Sequence, residues 1–226
     1  MFFINFKLMI FIFLLFPFGA NSNQKSDLNN SENYKLNKES HFLKLKKEGK
    51  PVISDKWMVV TANIQASKIA AKILKNGGTA ADAMISAQLV LGLVEPESSG
   101  LGGGAFLVYF DNKTKEIITL DGRETAPLLI KENIFQDTNG NPLKFFDAVV
   151  GGKSVGTPGT PALLEEAYKR WGKTEWSLLF KDAINLSKNG FVISKKLSSS
   201  IERSKSSLSK FLNTKKYFVP NGIPLK

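Results

Sequence analysis

The stretch 95–127 limits what this chain can fold into more than any other. It opens Glu95-Pro96-Glu97-Ser98-Ser99-Gly100-Leu101-Gly102-Gly103-Gly104 and continues with an apolar run at 105–110. A polar turn, Asp111-Asn112-Lys113-Thr114, separates that run from 115–120, and Leu120-Asp121-Gly122-Arg123-Glu124-Thr125-Ala126-Pro127 follows. Four glycines within five residues allow positive φ, or let two backbones approach closely. The pattern predicts a helix exit, a glycine strip, a buried strand, a hairpin turn, a second strand and an arginine on the loop side of its end. An arginine so placed can fork onto a carboxylate. Two readings of Arg123 stay open at this level: a ligand clamp, or a structural pair with Asp121 or Glu124.

Two helices precede the unit. Asn63 caps the first, which has Ile69, Ala70, Ile73 and Leu74 on one face and Gly77 past its end. Thr79 and Asp82 have the spacing of a capping box for the second, which reaches about Leu93. After its start that helix is polar only at Asp82, Ser86 and Gln88, so it is expected buried between a sheet and other helices. The run Met58-Val59-Val60-Thr61-Ala62 reads as a short buried strand. Downstream, Asn139-Gly140-Asn141-Pro142 is a turn cluster and Gly151-Gly152-Lys153-Ser154-Val155-Gly156-Thr157-Pro158-Gly159-Thr160 a second glycine strip. A helix opens at Thr160-Pro161 and closes before Gly172; another runs from about Trp176 to Lys188 and stops at Asn189-Gly190. The last stretch, 195–226, is basic and weakly periodic.

Several function classes fall away. Gly100 to Ala105 fits G-x-G-x-x-A, but a helix precedes it and a strand follows, the reverse of a dinucleotide fingerprint. Gly152-Lys153-Ser154 lacks a glycine five residues earlier, so it is no P-loop. There is no cysteine and a single histidine, His41, which excludes thiolate or multi-histidine metal sites and a Ser-His-Asp triad in the body. The net charge is +11, yet residues 57–180 carry twelve Lys/Arg against thirteen Asp/Glu; the excess lies in 1–56 (nine against five) and 181–226 (ten against two). Charge confined to the flanks is solvated surface, and no nucleic-acid partner is expected.

Residues 1–22 have the layout of an export signal: Lys7, an apolar run, then small residues at Ala20 and Ser22. The alternative is an uncleaved membrane anchor; either way the body is exported, to periplasm or medium. Residues 23–51 read as a polar flexible leader, and 52–226 as the folded domain.

Taken together, Asn76-Gly77-Gly78-Thr79-Ala80-Ala81-Asp82-Ala83, the 95–104 strip, Leu120 to Pro127, Ser154 to Thr160, Tyr168…Trp171-Gly172 and Asn189-Gly190-Phe191 resemble the γ-glutamyltranspeptidase family in order and spacing. The resemblance covers roughly 52–226. It implies an α+β fold, an N-terminal-nucleophile hydrolase whose full form is a four-layer αββα sandwich, here in part. It implies γ-glutamyl transfer or hydrolysis of glutathione and other γ-glutamyl amides, with no cofactor and no metal. A threonine freed by self-cleavage attacks the amide, its own amine serving as base. On this resemblance Arg123 grips the α-carboxylate of the glutamyl group. Gly122 stands where the family commonly has an aromatic residue, which predicts looser packing there. Glycines 102–104 and 156 are expected to serve close packing, and Asp82 to cap its helix. No threonine here precedes a histidine, as the family's nucleophile does. The catalytic threonine is therefore expected outside this sequence, in a C-terminal half that acts as partner, and the chain alone is expected to be inactive. The alternative is an exported fragment or assembly partner with no activity. A third class, an anion-binding surface protein using the basic tail, would show binding that salt abolishes.

Overall fold

The structure, a computed structural model, describes residues 43–226. The signal at 1–22 and most of the leader lie outside the described residues. The chain divides into two compact units, Met1–Asp55 and Lys56–Lys226. Of the first, only 43–55 is described; it holds a short helix at 43–47 and Glu48 paired with Lys44 and Lys50 at 3.9 and 2.9 Å.

The second unit begins with two capped helices. In α1 (Ile64–Lys75) the Asn63 side chain accepts from the Gln65 N–H at 3.0 Å, and Ala66, Ala70 and Ile73 are buried. Gly77, at φ +85°, turns the chain out of it. Helix α2 (Ala80–Val94) carries the full capping box. The Thr79 hydroxyl accepts from the Asp82 N–H, and the Asp82 carboxylate accepts from the Thr79 N–H. Ile85, Val90 and Val94 lie in its fully buried interior.

Strands β1 (Ala105–Asp111) and β2 (Glu116–Gly122) pair antiparallel in the register Ala105↔Gly122, Leu107↔Leu120, Tyr109↔Ile118. Lys115, at φ +63°, makes the turn. One face of the hairpin packs on the core through Ala105, Leu107 and Leu120. The other presents Phe106, Val108, Phe110 and Ile117 to solvent, each more than half exposed.

After Pro127 the chain carries the expected turn, with Gly140 at φ +82° and the Asp137 carboxylate accepting from the Asn139 and Asn141 N–H groups at 2.9 Å. A short helix α3 (Phe145–Val149) leads into the second glycine strip. Helices α4 (Thr160–Trp171) and α5 (Trp176–Asn189) follow, the latter capped by Glu175. Leu163, Leu164, Leu179 and Ala183 from these two helices complete the core with α1 and α2. Aromatic contacts lock the joint: Tyr109 stacks on Trp171 at 4.0 Å, and Trp176 meets Tyr168 and Phe180 at 4.8 and 4.9 Å.

Two expectations are corrected. The run 58–62 is not a strand: it has no ladder partner among the described residues, and Val60 is 84% exposed. A strand needs a neighbour for its N–H and C=O groups, and no described strand pairs with this segment. The tail is more regular than its composition predicts, with α6 (Lys195–Arg203), α7 (Lys205–Leu208) and α8 (Leu212–Phe218). Leu197 and Ile201, four apart on α6, are buried, but two apolar residues in one short helix make too brief a stripe to register as a period. No helix among the described residues is long and apolar enough to cross a membrane.

Candidate functional site

The site grows from the contact of the two glycine strips with the end of the hairpin around residues 122–125. The Gly103 carbonyl accepts from the N–H groups of Gly159 and Thr160, both at 3.1 Å, so the first strip is fastened to the start of α4. Thr125 and Thr157 form a two-way bridge, Thr157 N–H to Thr125 O at 2.8 Å and Thr125 N–H to Thr157 O at 3.3 Å. A Cβ on Gly104 would stand 2.8 Å from the Gly122 carbonyl oxygen, and one on Gly156 would be 2.9 Å from the Glu124 Cβ. A Cβ on Gly159 would overlap the Gly122 carbonyl and reach 2.7 Å from that of Arg123. These are distances that real side chains do not tolerate, so the glycines are needed for backbone proximity. Close packing, as expected of glycines 102–104 and 156, holds for Gly104 and Gly156; Gly102 faces open space.

Gly122 corrects the expectation of loose packing. It is buried, and a Cβ there would lie 2.6 Å from the Leu163 Cβ. The volume that a side chain would fill at this position is already taken by Leu163 from α4.

Arg123 emerges from the end of β2 held in this way by its backbone. Its N–H donates to the Asp121 carboxylate at 2.9 Å, and its Nε lies 3.5 Å from Glu124 Oε2. The side chain remains 70% exposed. Both readings of Arg123 left open by the sequence thus have a footing: it has a carboxylate neighbour, and most of its guanidinium surface is free to take another. Arg123 lines two cavities. One, of ≈ 320 Å³, adds Glu124, Thr125, Phe135, Lys153 and Ser154; the other, of ≈ 500 Å³, adds Asp121, Thr157, Glu165 and Glu166. The first has two cations and one acid, the second one cation and three acids. An anionic ligand is favoured in the first.

Away from the cavities, two buried carboxylates tie distant parts of the chain together. Asp82 is fully buried and does more than cap α2. It also accepts from the N–H groups of Lys173 and Thr174 and from the Thr174 hydroxyl, between 3.0 and 3.2 Å. Burial pushes its pKa up, but the N–H bonds from Thr79, Thr174 and Lys173 and the Thr174 hydroxyl outweigh that and hold it below the usual range. Glu95, 2% exposed, accepts from Asn63 Nδ2 at 2.8 Å and from Lys196 Nζ at 3.0 Å. Burial raises its pKa, and the bonds from Asn63 and Lys196 more than reverse this. Neither the Asp82 link to the α4–α5 turn nor the Glu95–Lys196 pair is visible in the sequence, since the partners lie about a hundred positions away. Among the described residues, no three of His, Cys, Asp and Glu converge as a metal ion would require.

Residues 66–226 match the family model for gamma-glutamyltranspeptidase. The chain belongs to the γ-glutamyltranspeptidase family. Within that family it is 42% identical over 169 residues to a glutathione hydrolase proenzyme of Bacillus subtilis subsp. natto, covering 75% of this chain and 29% of the relative. It is 35% identical over 189 residues to glutathione hydrolase 3 of Arabidopsis thaliana, covering 83% and 29%. The solved γ-glutamyltranspeptidase of Helicobacter pylori superposes with a TM-score of 0.72 at 32% identity, covering 77% of this chain and 50% of that one. The fold class is thus the family's N-terminal-nucleophile hydrolase architecture in part, an α+β domain of helices and one small sheet. The chain spans less than a third of the length of the family relatives it matches by sequence.

Proposed function

We propose that this chain forms the donor-carboxylate side of a γ-glutamyltranspeptidase, which transfers or hydrolyses the γ-glutamyl group of glutathione and similar amides. Arg123 holds the α-carboxylate of the glutamyl group through a planar, two-bond fork. The observation that carries this reading is the rigid mounting of an otherwise open guanidinium: the two glycine strips pack on the backbone of 122–125, and the cation-rich cavity beside it stands open. The attacking threonine comes from the remaining length of the family, as does the layer that covers the exposed face of the hairpin. Without that part the chain is inactive. Residues 1–22 direct export to periplasm or medium, and mass spectrometry of the mature protein should find them removed; their presence on a cytoplasmic chain would refute the export reading.

The test of the site is Arg123→Ala in an enzyme completed with the C-terminal part of a relative. In the completed enzyme the remaining part closes over the bound donor, and truncating one partner of a buried, hydrogen-bonded charge pair costs about 2–5 kcal/mol. The expected loss in kcat/KM is therefore roughly 30-fold to several thousand-fold. Arg123→Lys should recover only part, keeping the charge without the fork. Donors lacking the α-carboxylate should be poor substrates and nearly indifferent to the change. If turnover of both donor types stays within twofold, Arg123 is a structural partner of Glu124 instead.

A further inference from the structure

Lys153 shares the ≈ 320 Å³ cavity with Arg123, and its presence there is not explained by packing. It makes no ion pair or hydrogen bond among the described residues, while the cavity's only acid, Glu124, lies beside Arg123. Nor is it on a loose loop. Gly152–Ser154 form a 3₁₀ turn closed by the Val155 N–H on the Gly152 carbonyl at 3.3 Å. The Ser154 hydroxyl donates to the Val149 carbonyl at 2.8 Å, and Gly151 takes φ +120°, a conformation that side chains rarely adopt. The turn therefore holds an unpaired lysine on the lining of the cavity that Arg123, Thr125 and Phe135 also line.

We propose that Lys153 is a specificity-determining residue that reads a second carboxylate on the donor, so the site prefers γ-glutamyl peptides ending in a free carboxylate over γ-glutamyl amides that have none. This rests on the reading of Arg123 given above. The physical basis is local pairing rather than the net count: Arg123 already has Glu124 at 3.5 Å and would take the ligand's α-carboxylate, while Lys153 has no carboxylate beside it among the described residues. A cavity of this size falls at the small end of ordinary ligand clefts, at about 300–1,000 Å³, which suits a short peptide. Because Lys153 is exposed, the gain is that of a solvent-accessible ion pair, about 1.5- to 5-fold in affinity and sensitive to salt.

The test is a chemical-shift titration of the ¹⁵N-labelled full chain with γ-glutamylglycine, which has two carboxylates, and with γ-glutamyl methylamide, which has one. The dipeptide should bind up to about fivefold more tightly at low salt. Lys153→Met should erase that margin and leave the methylamide affinity unchanged, while Lys153→Arg should retain it. A margin that survives Lys153→Met, or its absence in the unaltered chain, overturns the proposal. Arg123→Ala separates the two readings, because it should weaken both ligands equally. If Arg123→Ala changes neither, the reading of Arg123 falls as well; if only Lys153→Met is silent, the assignment of Lys153 alone falls. No saturable shift with either ligand overturns both.

Discussion

Replacing Asp82 with alanine tests whether the buried carboxylate, rather than the helices around it, joins the start of α2 to the turn between α4 and α5. The substitution removes the Asp82 half of the capping box, the carboxylate that accepts from the Thr79 N–H, a loss of about 1 kcal/mol. It also leaves the part-buried donors on Lys173 and Thr174 without their acceptor, at about 1–3 kcal/mol for the group as a whole. The expected destabilisation is about 2–4 kcal/mol. With a urea slope of about 2 kcal/mol per molar, the unfolding midpoint should fall by roughly 1–2 M. Trp171 and Trp176 flank the turn that Asp82 holds, so intrinsic fluorescence reports on the right place. The pH dependence gives a second reading. Because the folded-state pKa is depressed, the contribution is whole above the ordinary carboxylate range of about 4, and it is lost as pH falls through the lower folded value. Asp82→Asn should flatten that acid limb. A midpoint shift corresponding to less than roughly 0.5 kcal/mol for Asp82→Ala, or an acid limb unchanged in Asp82→Asn, would refute the reasoning.

Other outcomes can be checked on the same chain. Glu95→Gln should raise amide hydrogen exchange in α6 while leaving α2 protected, because the carboxylate ties Lys196 and Asn63 together; unchanged exchange in α6 would show that its apolar residues suffice. Gly122→Ala should destabilise by about 1–3 kcal/mol through overpacking against Leu163, and adding Leu163→Gly, which removes both the Cβ and the Cδ1 that the new methyl meets, should recover part of the loss in a double-mutant cycle. Strictly additive losses would mean that the two do not meet. Phe106→Lys with Phe110→Lys should reduce self-association in sedimentation velocity, since both lie on the exposed apolar face of the hairpin; association unaffected by the pair would place the sticky surface elsewhere.

Much of the local structure is legible in the residue pattern alone. Asn63, Thr79 with Asp82, Pro161 and the glycines at 77, 172 and 190 act within a few residues of where they stand, so they mark helix ends in the sequence itself. The alternation of 105–110 and 115–120 likewise predicts the hairpin, although β2 starts one residue later and runs two further. The segment 58–62 misled, because an apolar run signals burial or pairing without saying whether a partner strand is at hand.

The sequence by itself determined the family, the ends of α1, α2, α4 and α5 and the candidate Arg123, since each rests on residue types at short, fixed spacings. The tertiary structure alone decided what those residues touch. It brought Gly103 to Gly159 and Thr160, set Leu163 into the space that Gly122 leaves, and gave Asp82 and Glu95 partners about a hundred positions away. It also placed Lys153 on the cavity of Arg123. Contacts between residues far apart in the chain depend on how whole helices pack, and no local spacing encodes them.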